Sequence, residues 1–167
     1  NNGVVSSLFA TITTTEQGGT QSYGLFKYLG PNAIIRNLNV VTTVGMTAAS
    51  GSVSNGVQYV GGLAGYMNNS LLVNVTAETK MGISVNNSVL HVGGIAGMTT
   101  AGTGFESVGN VKYNGDSTSW TIQSKSGSQI NAGLIAGSAT NTYVNSLNIN
   151  VTDSVVDLKA DGNSTLT

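Results

Sequence analysis

The sequence predicts an all-β fold, a parallel right-handed β-solenoid of about four turns, with roughly 36 residues and three short strands in each turn. Two repeated motifs and the composition predict it. The 167 residues include 23 Gly and 1 Pro, and only 8% are charged. Glu, Lys and Arg are the usual residues of surface helices, so their scarcity favours strands with polar uncharged faces.

A glycine motif occurs three times along the chain. It reads VGGLAG after Tyr59, VGGIAG after His91 and AGLIAG after Asn131. Small and aliphatic residues on both faces are typical of a strand that is covered on both sides. We therefore interpret the motif as a flat, tight wall of the coil, with the core inside and a loop or a neighbouring protein outside. The glycines of this structural repeat are Gly61, Gly62, Gly65, Gly93, Gly94, Gly97, Gly133 and Gly137.

A second motif follows each glycine motif and reads aliphatic, any residue, Asn or Ser, aliphatic. One copy begins at Ile35, and later copies begin at Leu72, Val108 and Val144. The apolar residues before and after the third position differ in phase by one residue, which indicates a corner or a bulge. Asn tolerates left-handed backbone, and its amide can bond the next turn. These properties predict a buried corner ladder made of Asn37, Asn74, Asn110 and Ser146.

We expect one domain over residues 1–167, because a single turn cannot bury its apolar face and successive turns share one core. The motifs place the successive turns at 22–58, 59–90, 91–130 and 131–167, after a partial first turn at 1–21. The chain opens at Asn1 without Met, and neither end has the pattern of a polar cap. A segment of a longer repeat protein is therefore the expectation.

The Gly-Gly-Leu-Ala-Gly sequence, followed by Asn and alternating apolar residues, resembles the GLUG-type repeat of bacterial and protist surface proteins. The resemblance covers most of the chain, from about 22 to 158, and is clearest at 59–77 and 91–113. The first copy departs from it with Phe26-Lys27 in place of Ala-Gly, and the last copy has Leu134 where the second Gly is expected. The resemblance implies a β-solenoid that serves as a stalk or scaffold outside the cell, and it implies no catalytic residues.

Charge and residue types argue against several classes of function. The net charge is -1, so no basic surface for nucleic acid is predicted. No apolar run approaches the roughly 20 residues of a membrane span. The acidic and basic residues are scattered through the repeats, whereas a polysaccharide-degrading enzyme needs carboxylates together on one wall. We expect no enzyme activity, no catalytic residues and no cofactor.

One acidic segment is a candidate metal site. Asp153, Asp157 and Asp161 offer the hard oxygen ligands that Ca²⁺ prefers. Their four-residue spacing matches neither an EF-hand nor a nonapeptide calcium loop. Surface charge on the last turn is the preferred interpretation, and calcium binding stays open.

Asparagine sequons and tyrosines are candidates for modification and binding. Sequons begin at Asn68, Asn74, Asn86, Asn150 and Asn163, a number that chance alone gives in a chain so rich in Asn, Ser and Thr. The ladder hypothesis buries Asn74 and leaves the other four as possible glycosylation sites. Exposed tyrosine rings can stack on sugars, so Tyr28, Tyr59 and Tyr66 form a possible interaction surface. Trp120 alternates with Ile122 and is expected in the core.

These observations favour a non-catalytic structural or interaction module, a β-solenoid segment of an extracellular adhesin, surface layer or filament. The expected partners are copies of the same chain or neighbouring domains, met end to end or through the glycine-rich wall. A carbohydrate-binding module that recognises host-surface glycans through its tyrosines is the alternative. A polysaccharide-degrading enzyme is the third possibility, and the scattered charges disfavour it.

Overall fold

The computed structural model describes residues 7–51, 56–111, 119–125, 127–150, 155–160 and 164–167. Over these ranges the chain forms strands, turns and bends, and contains no helix. The strands belong to three parallel sheets stacked as a coil, so the predicted β-solenoid is confirmed. None of the described segments is a helix long and apolar enough to cross a membrane.

The described strands fall into three sheets, each built from equivalent parts of successive turns. The first sheet contains β1 (Ser7–Thr15), β4 (Ile34–Thr47), β7 (Leu71–Val85), β10 (Gly104–Val111), β11 (Ser119–Ser124), β14 (Tyr143–Val144), β15 (Leu147–Asn150) and β16 (Val155–Ala160). The second contains β2 (Thr20–Tyr23), β5 (Gly56–Gly61), β8 (Ser88–Gly93), β12 (Gln129–Gly133) and β17 (Thr165–Leu166). The third contains β3 (Phe26–Leu29), β6 (Ala64–Asn68), β9 (Ala96–Thr100) and β13 (Ala136–Ala139).

Each turn visits the three sheets in a fixed order. β4 of the first sheet leads to β5 of the second, to β6 of the third, and then to β7 back in the first. Four described strands stack in the third sheet, so three turns separate β3 from β13, slightly fewer than the four expected. The apolar runs that the sequence predicts as separate short strands are joined in β4 and β7, which have 14 and 15 residues.

One residue with left-handed backbone bends each of three strands in the first sheet. The φ angles are 56° at Asn37, 52° at Asn74 and 54° at Ser107. A left-handed residue rotates the chain, so the side chains after it change the face to which they point. In β7 the buried residues on either side of this point, Leu72 and Val75, are therefore three positions apart. The predicted change of phase is confirmed.

Two apolar clusters fill the coil. One packs the third sheet against the N-terminal halves of the long strands and includes Leu63 and Phe105. The other packs the second sheet against their C-terminal halves and includes Trp120 and Ile130. Trp120 is 1% exposed and its Nε1 donates a hydrogen bond to Thr79 O at 2.7 Å. The predicted inward orientation of Trp120 is confirmed.

The glycine motif is a corner between the second and third sheets, not the flat wall that the sequence predicts. β5 ends at Gly61 and β6 begins at Ala64, with a bend between them. Thr79 Oγ1, from the first sheet, donates to Gly94 O at 2.7 Å, so the corner reaches across the interior. The motif glycines before residue 100 are buried, and Gly133 and Gly137 are half-buried. The motif glycines therefore serve internal packing, and contact with a partner at this corner stays a prediction.

Candidate functional site

Aromatic rings from the second and third sheets form a stack beside the glycine corner. Tyr28 and Tyr66 lie opposite each other in β3 and β6, with ring centroids 5.5 Å apart and an interplanar angle of 25°. Tyr59 of β5 stacks on Tyr66 across the corner at 5.7 Å and 24°. His91 of β8 continues the array at 5.3 Å from Tyr59, tilted by 41°. The structure thus brings together the three predicted tyrosines and adds His91.

The stack uses most of its ring faces internally. Tyr59 and Tyr66 each contact two rings, and the Tyr66 hydroxyl shares a hydrogen bond of 2.8 Å with Thr100 Oγ1. Tyr28 ends the array, is 49% exposed, and accepts a hydrogen bond of 3.2 Å from Asn68 Nδ2. Stacking on a sugar needs an open ring face. The arrangement therefore favours cohesion between turns, and it leaves Tyr28 as the ring of the stack best placed to meet a ligand.

His91 is held in the stack as a neutral ring. Asn131 Nδ2, one turn further on, donates to His91 Nδ1 at 3.3 Å, which uses this nitrogen as an acceptor. Burial lowers the pKa of His91 below its ordinary value. Both features disfavour the imidazolium, because protonation would place a second donor against the Asn131 amide and charge a partly buried ring.

We expect His91 to make the protein less stable in mild acid. The unfolded chain takes up a proton on histidine near pH 6.5, whereas the folded pKa is lower. The stability that depends on neutral His91 is therefore fully present above about pH 6.5 and is lost as the pH falls below it. The free energy of unfolding, measured in urea from pH 7.5 to 5, should decrease more steeply for the wild type than for His91→Gln. Parallel curves for the two proteins would contradict the lowered pKa of His91, since the sequence contains a single histidine.

The predicted corner ladder is present, but its third member is different. Asn74 Nδ2 donates to Asn37 Oδ1 at 2.9 Å, so the first two asparagines bond each other between turns. The register places Ser107 opposite Asn74, while Asn110 lies opposite Ala77. The expectation for Asn110 is wrong because the ladder position in this turn lies three residues earlier, at Ser107. Phe105, not Val108, is the residue paired with Leu72.

The ladder lies on the surface of the coil. Ser146 continues it opposite Ser107, as the pairing of β10 with β14 and β15 requires. Asn37, Asn74, Ser107 and Ser146 are all exposed. The expected burial of Asn74 is therefore wrong, because the left-handed bend turns the side chain outward instead of into the core.

A buried carboxylate, which the sequence did not single out, joins three turns of the coil. Glu16 follows β1 and is 3% exposed. Its Oε2 accepts hydrogen bonds from Ala49 N at 3.0 Å and from Asn86 N at 2.8 Å. Its Oε1 accepts a hydrogen bond from Ser88 Oγ. Glu16, Ala49 and Ser88 belong to successive turns, so this one side chain holds the corner between the first and second sheets.

Serines continue this network along the axis. Ser88 N donates to Ser128 Oγ at 3.2 Å, and Ser128 N donates to Ser164 Oγ at 3.3 Å. Ser164 Oγ also bonds Ser124 Oγ. A sequence signal for this row exists, because a serine begins β8 and a serine stands directly before β12 and β17. Glu16 itself has no such signal, since it occurs once and outside the repeat.

The last turn presents exposed apolar residues along an edge. β14 and β15 pair with β10, and no other described strand pairs with them. Exposed fractions here are 49% for Tyr143, 51% for Val144, 41% for Leu147 and 47% for Ile149. β16 continues the edge with Val156, which is 43% exposed. These residues lie along the edge that β14, β15 and β16 form in the first sheet.

The remaining predicted site residues show no shared site. Asp157 Oδ2 lies 2.8 Å from Lys159 Nζ in an exposed pair, whereas Asp153 and Asp161 lie outside the described residues. Within the described ranges, no group of acidic, histidine or cysteine side chains is arranged to hold a metal ion.

The possible glycosylation sites differ in their surroundings. Asn68 and Asn86 are half-buried, and both side-chain amides donate hydrogen bonds to the protein, to Tyr28 OH and to Gly51 O. Asn163 and the side chain of Asn150 lie outside the described part of the chain. Glycosylation at these four positions stays a prediction.

Comparisons with protein-family models, with curated proteins and with solved structures found no match to this chain. The fold defines it as a β-solenoid. Its function is therefore inferred from its own ladders, aromatic stack and end strands.

Proposed function

We propose that this chain is a non-catalytic structural module, a β-solenoid rod of an extracellular adhesin, surface layer or filament. One observation carries the proposal: polar and aromatic side chains of a kind that could serve catalysis or binding contact other turns of the coil instead. Asn74 bonds Asn37, Ser88 bonds Glu16, and Tyr66 stacks on Tyr28. Contacts between turns along the axis stiffen a rod, since each inner turn is held by the turns on both sides.

The surface chemistry and the repeat support the same proposal. Only 8% of residues are charged, so copies of the rod repel each other weakly. The resemblance of the glycine motif to GLUG-type repeats supports a position outside the cell. The sequons at Asn68 and Asn86 would carry glycans in a host that glycosylates secreted proteins.

Carbohydrate binding is the second candidate, and Tyr28 is the observation that favours it. Its ring ends the aromatic stack and is 49% exposed, so one face can receive a sugar. Asn68 lies beside the Tyr28 hydroxyl, and Thr100 lies beside the Tyr66 hydroxyl. Glycan recognition combines an aromatic ring with polar groups of this kind.

Titration of the purified chain with a panel of soluble polysaccharides separates these functions. A structural module should show no saturable heat of binding and should release no reducing ends. Saturable binding by the wild type that Tyr28→Ala abolishes would replace the structural proposal with the carbohydrate-binding one. Labelling of intact source cells with a membrane-impermeant amine reagent should modify the exposed Lys27. Labelling only after lysis would contradict the extracellular position.

A further inference from the structure

The sequon that begins at Asn74 lies on the surface of an inner turn. Asn74 is exposed, because its left-handed backbone, with a φ of 52°, turns the side chain outward. Val75 is 0% exposed, whereas Thr76 is half-buried on the outer face of β7. The turns that carry Asn37 and Ser107 flank Asn74 on its two sides. The exposure of Asn74 is therefore a property of a turn that is already covered along the axis.

The hydroxyl residue distinguishes this sequon from its neighbours. The sequon of Asn68 ends at Ser70, which is 3% exposed, and the sequon of Asn86 ends at Ser88, which is 2% exposed. Both asparagines are themselves half-buried. Among the three sequons that lie wholly within the described ranges, only that of Asn74 combines an exposed asparagine with a hydroxyl residue outside the core. A bulky N-linked glycan needs a surface position of this kind.

The hydrogen bonds of Asn74 are compatible with a glycan on its amide. The side-chain amide has two N–H donors, and the bond to Asn37 Oδ1, at 2.9 Å from Asn74 Nδ2, needs one of them. A glycosylated amide keeps one N–H, so it can still donate to Asn37. Thr76 Oγ1 donates to Asn39 Oδ1, and Asn39 is exposed, so the hydroxyl of the sequon also lies on the outside of the coil.

We propose that Asn74 is an N-glycosylation site and that its glycan projects from the corner ladder. The donor is an oligosaccharide carried on a lipid diphosphate. In the transfer, the bond between sugar C1 and the diphosphate oxygen breaks, a bond between C1 and Asn74 Nδ2 forms, and Nδ2 gives up one proton. The inference rests on the proposed extracellular position, since N-glycans are added to chains that enter the secretory route. It also implies that the ladder edge of the rod faces solvent.

Translation of the chain behind a signal peptide, in the presence of microsomes, tests the site. The test variant combines Asn68→Gln, Asn86→Gln, Asn150→Gln and Asn163→Gln, so the sequon of Asn74 is left alone. We expect one glycan on the peptide that contains Asn74, removable by peptide N-glycosidase. An unmodified test variant would overturn the proposal if a reference glycoprotein were modified by the same microsomes.

Two substitutions at Thr76 provide matched controls within the test variant. Thr76→Val keeps the β-branched shape but lacks the hydroxyl, so it should abolish the glycan, whereas Thr76→Ser should retain it. A glycan that persists in Thr76→Val would overturn the assignment to Asn74. These results do not depend on where the native protein resides, which the amine labelling of intact cells tests separately.

Urea unfolding tests whether the folded coil accommodates the glycan. The test variant secreted from eukaryotic cells with its glycan, and the same chain produced in bacteria without one, should have equal unfolding midpoints, because the bond from Asn74 to Asn37 is retained. A clearly lower midpoint for the glycosylated form would show that the glycan disrupts the ladder, and it would overturn the inferred position of the glycan on the native coil.

Discussion

Gly93→Ala is expected to destabilise the protein by about 3 kcal/mol or more, the upper end of the range for overpacked cores. A Cβ at this position would lie 2.7 Å from Ala136 Cα and 2.7 Å from Ile135 O, and closer still to Ala96 O. All three are backbone atoms of the glycine corner or of the next turn. They cannot move aside as a flexible side chain does, so the two turns must separate.

Gly82→Ala is the matched control for this substitution. Gly82 lies in β7, is exposed, and a Cβ there would meet no atom within 4 Å. The free energy of unfolding of Gly82→Ala should stay within about 0.5 kcal/mol of the wild-type value. Urea unfolding followed by Trp120 fluorescence measures the stability of both variants, because Trp120 is buried and the sequence contains a single tryptophan. Equal midpoints for the two variants would show that the corner has room for a methyl group.

Glu16→Ala is expected to cost about 3 kcal/mol or more, because it removes the acceptor of three hydrogen bonds at once. Ala49 N, Asn86 N and Ser88 Oγ would lose their partner. A buried donor left unsatisfied, such as Ser88 Oγ, costs roughly 1–3 kcal/mol, and each of the two part-buried amides adds a smaller loss. Glu16→Gln keeps one acceptor oxygen and should give an intermediate loss. Hydrogen exchange at the Ala49 and Asn86 amides should accelerate in both variants before the rest of the coil opens.

Asp157→Ala serves as the control for the loss of a carboxylate. Its ion pair with Lys159 is exposed, and exposed pairs contribute about 0–1 kcal/mol. A loss of stability as large as that of Glu16→Ala would mean that net charge matters, and not the hydrogen bonds at the corner. Unchanged exchange at Ala49 in Glu16→Ala would also contradict the role of Glu16 in joining turns.

The structure brings together the three tyrosines that the sequence named as a possible interaction surface, and their stacked arrangement was not predicted from the sequence. Tyr28 and Tyr66 hold equivalent places in successive turns, so their pairing follows from the repeat. Tyr59 belongs to a different sheet, and its contact with Tyr66 depends on the sharp corner at Gly61 and Gly62. A bend between two strands brings side chains together that no linear spacing connects.

The identity of the corner-ladder residues depends on the exact register between turns. The equivalent positions are separated by 37, 33 and 39 residues in the register. A nearly constant spacing between repeats predicts Asn110 as the third ladder residue, because Asn110 is an asparagine like Asn37 and Asn74. The shorter second interval makes Ser107 the ladder residue, and the φ angle of 54° at Ser107 shows that serine takes the left-handed conformation there.

Sequence alone determined that this chain is a β-solenoid, since low charge, period-two alternation and the repeated glycine and asparagine motifs suit stacked parallel strands and little else. It also determined which kinds of residue turn the chain and that Trp120 is internal. Only the tertiary structure decided which residues face one another between turns, including the bonds of Glu16 and the true corner ladder. The physical reason is that loops of unequal length set the register, and contacts between turns join residues 37 and even 70 positions apart.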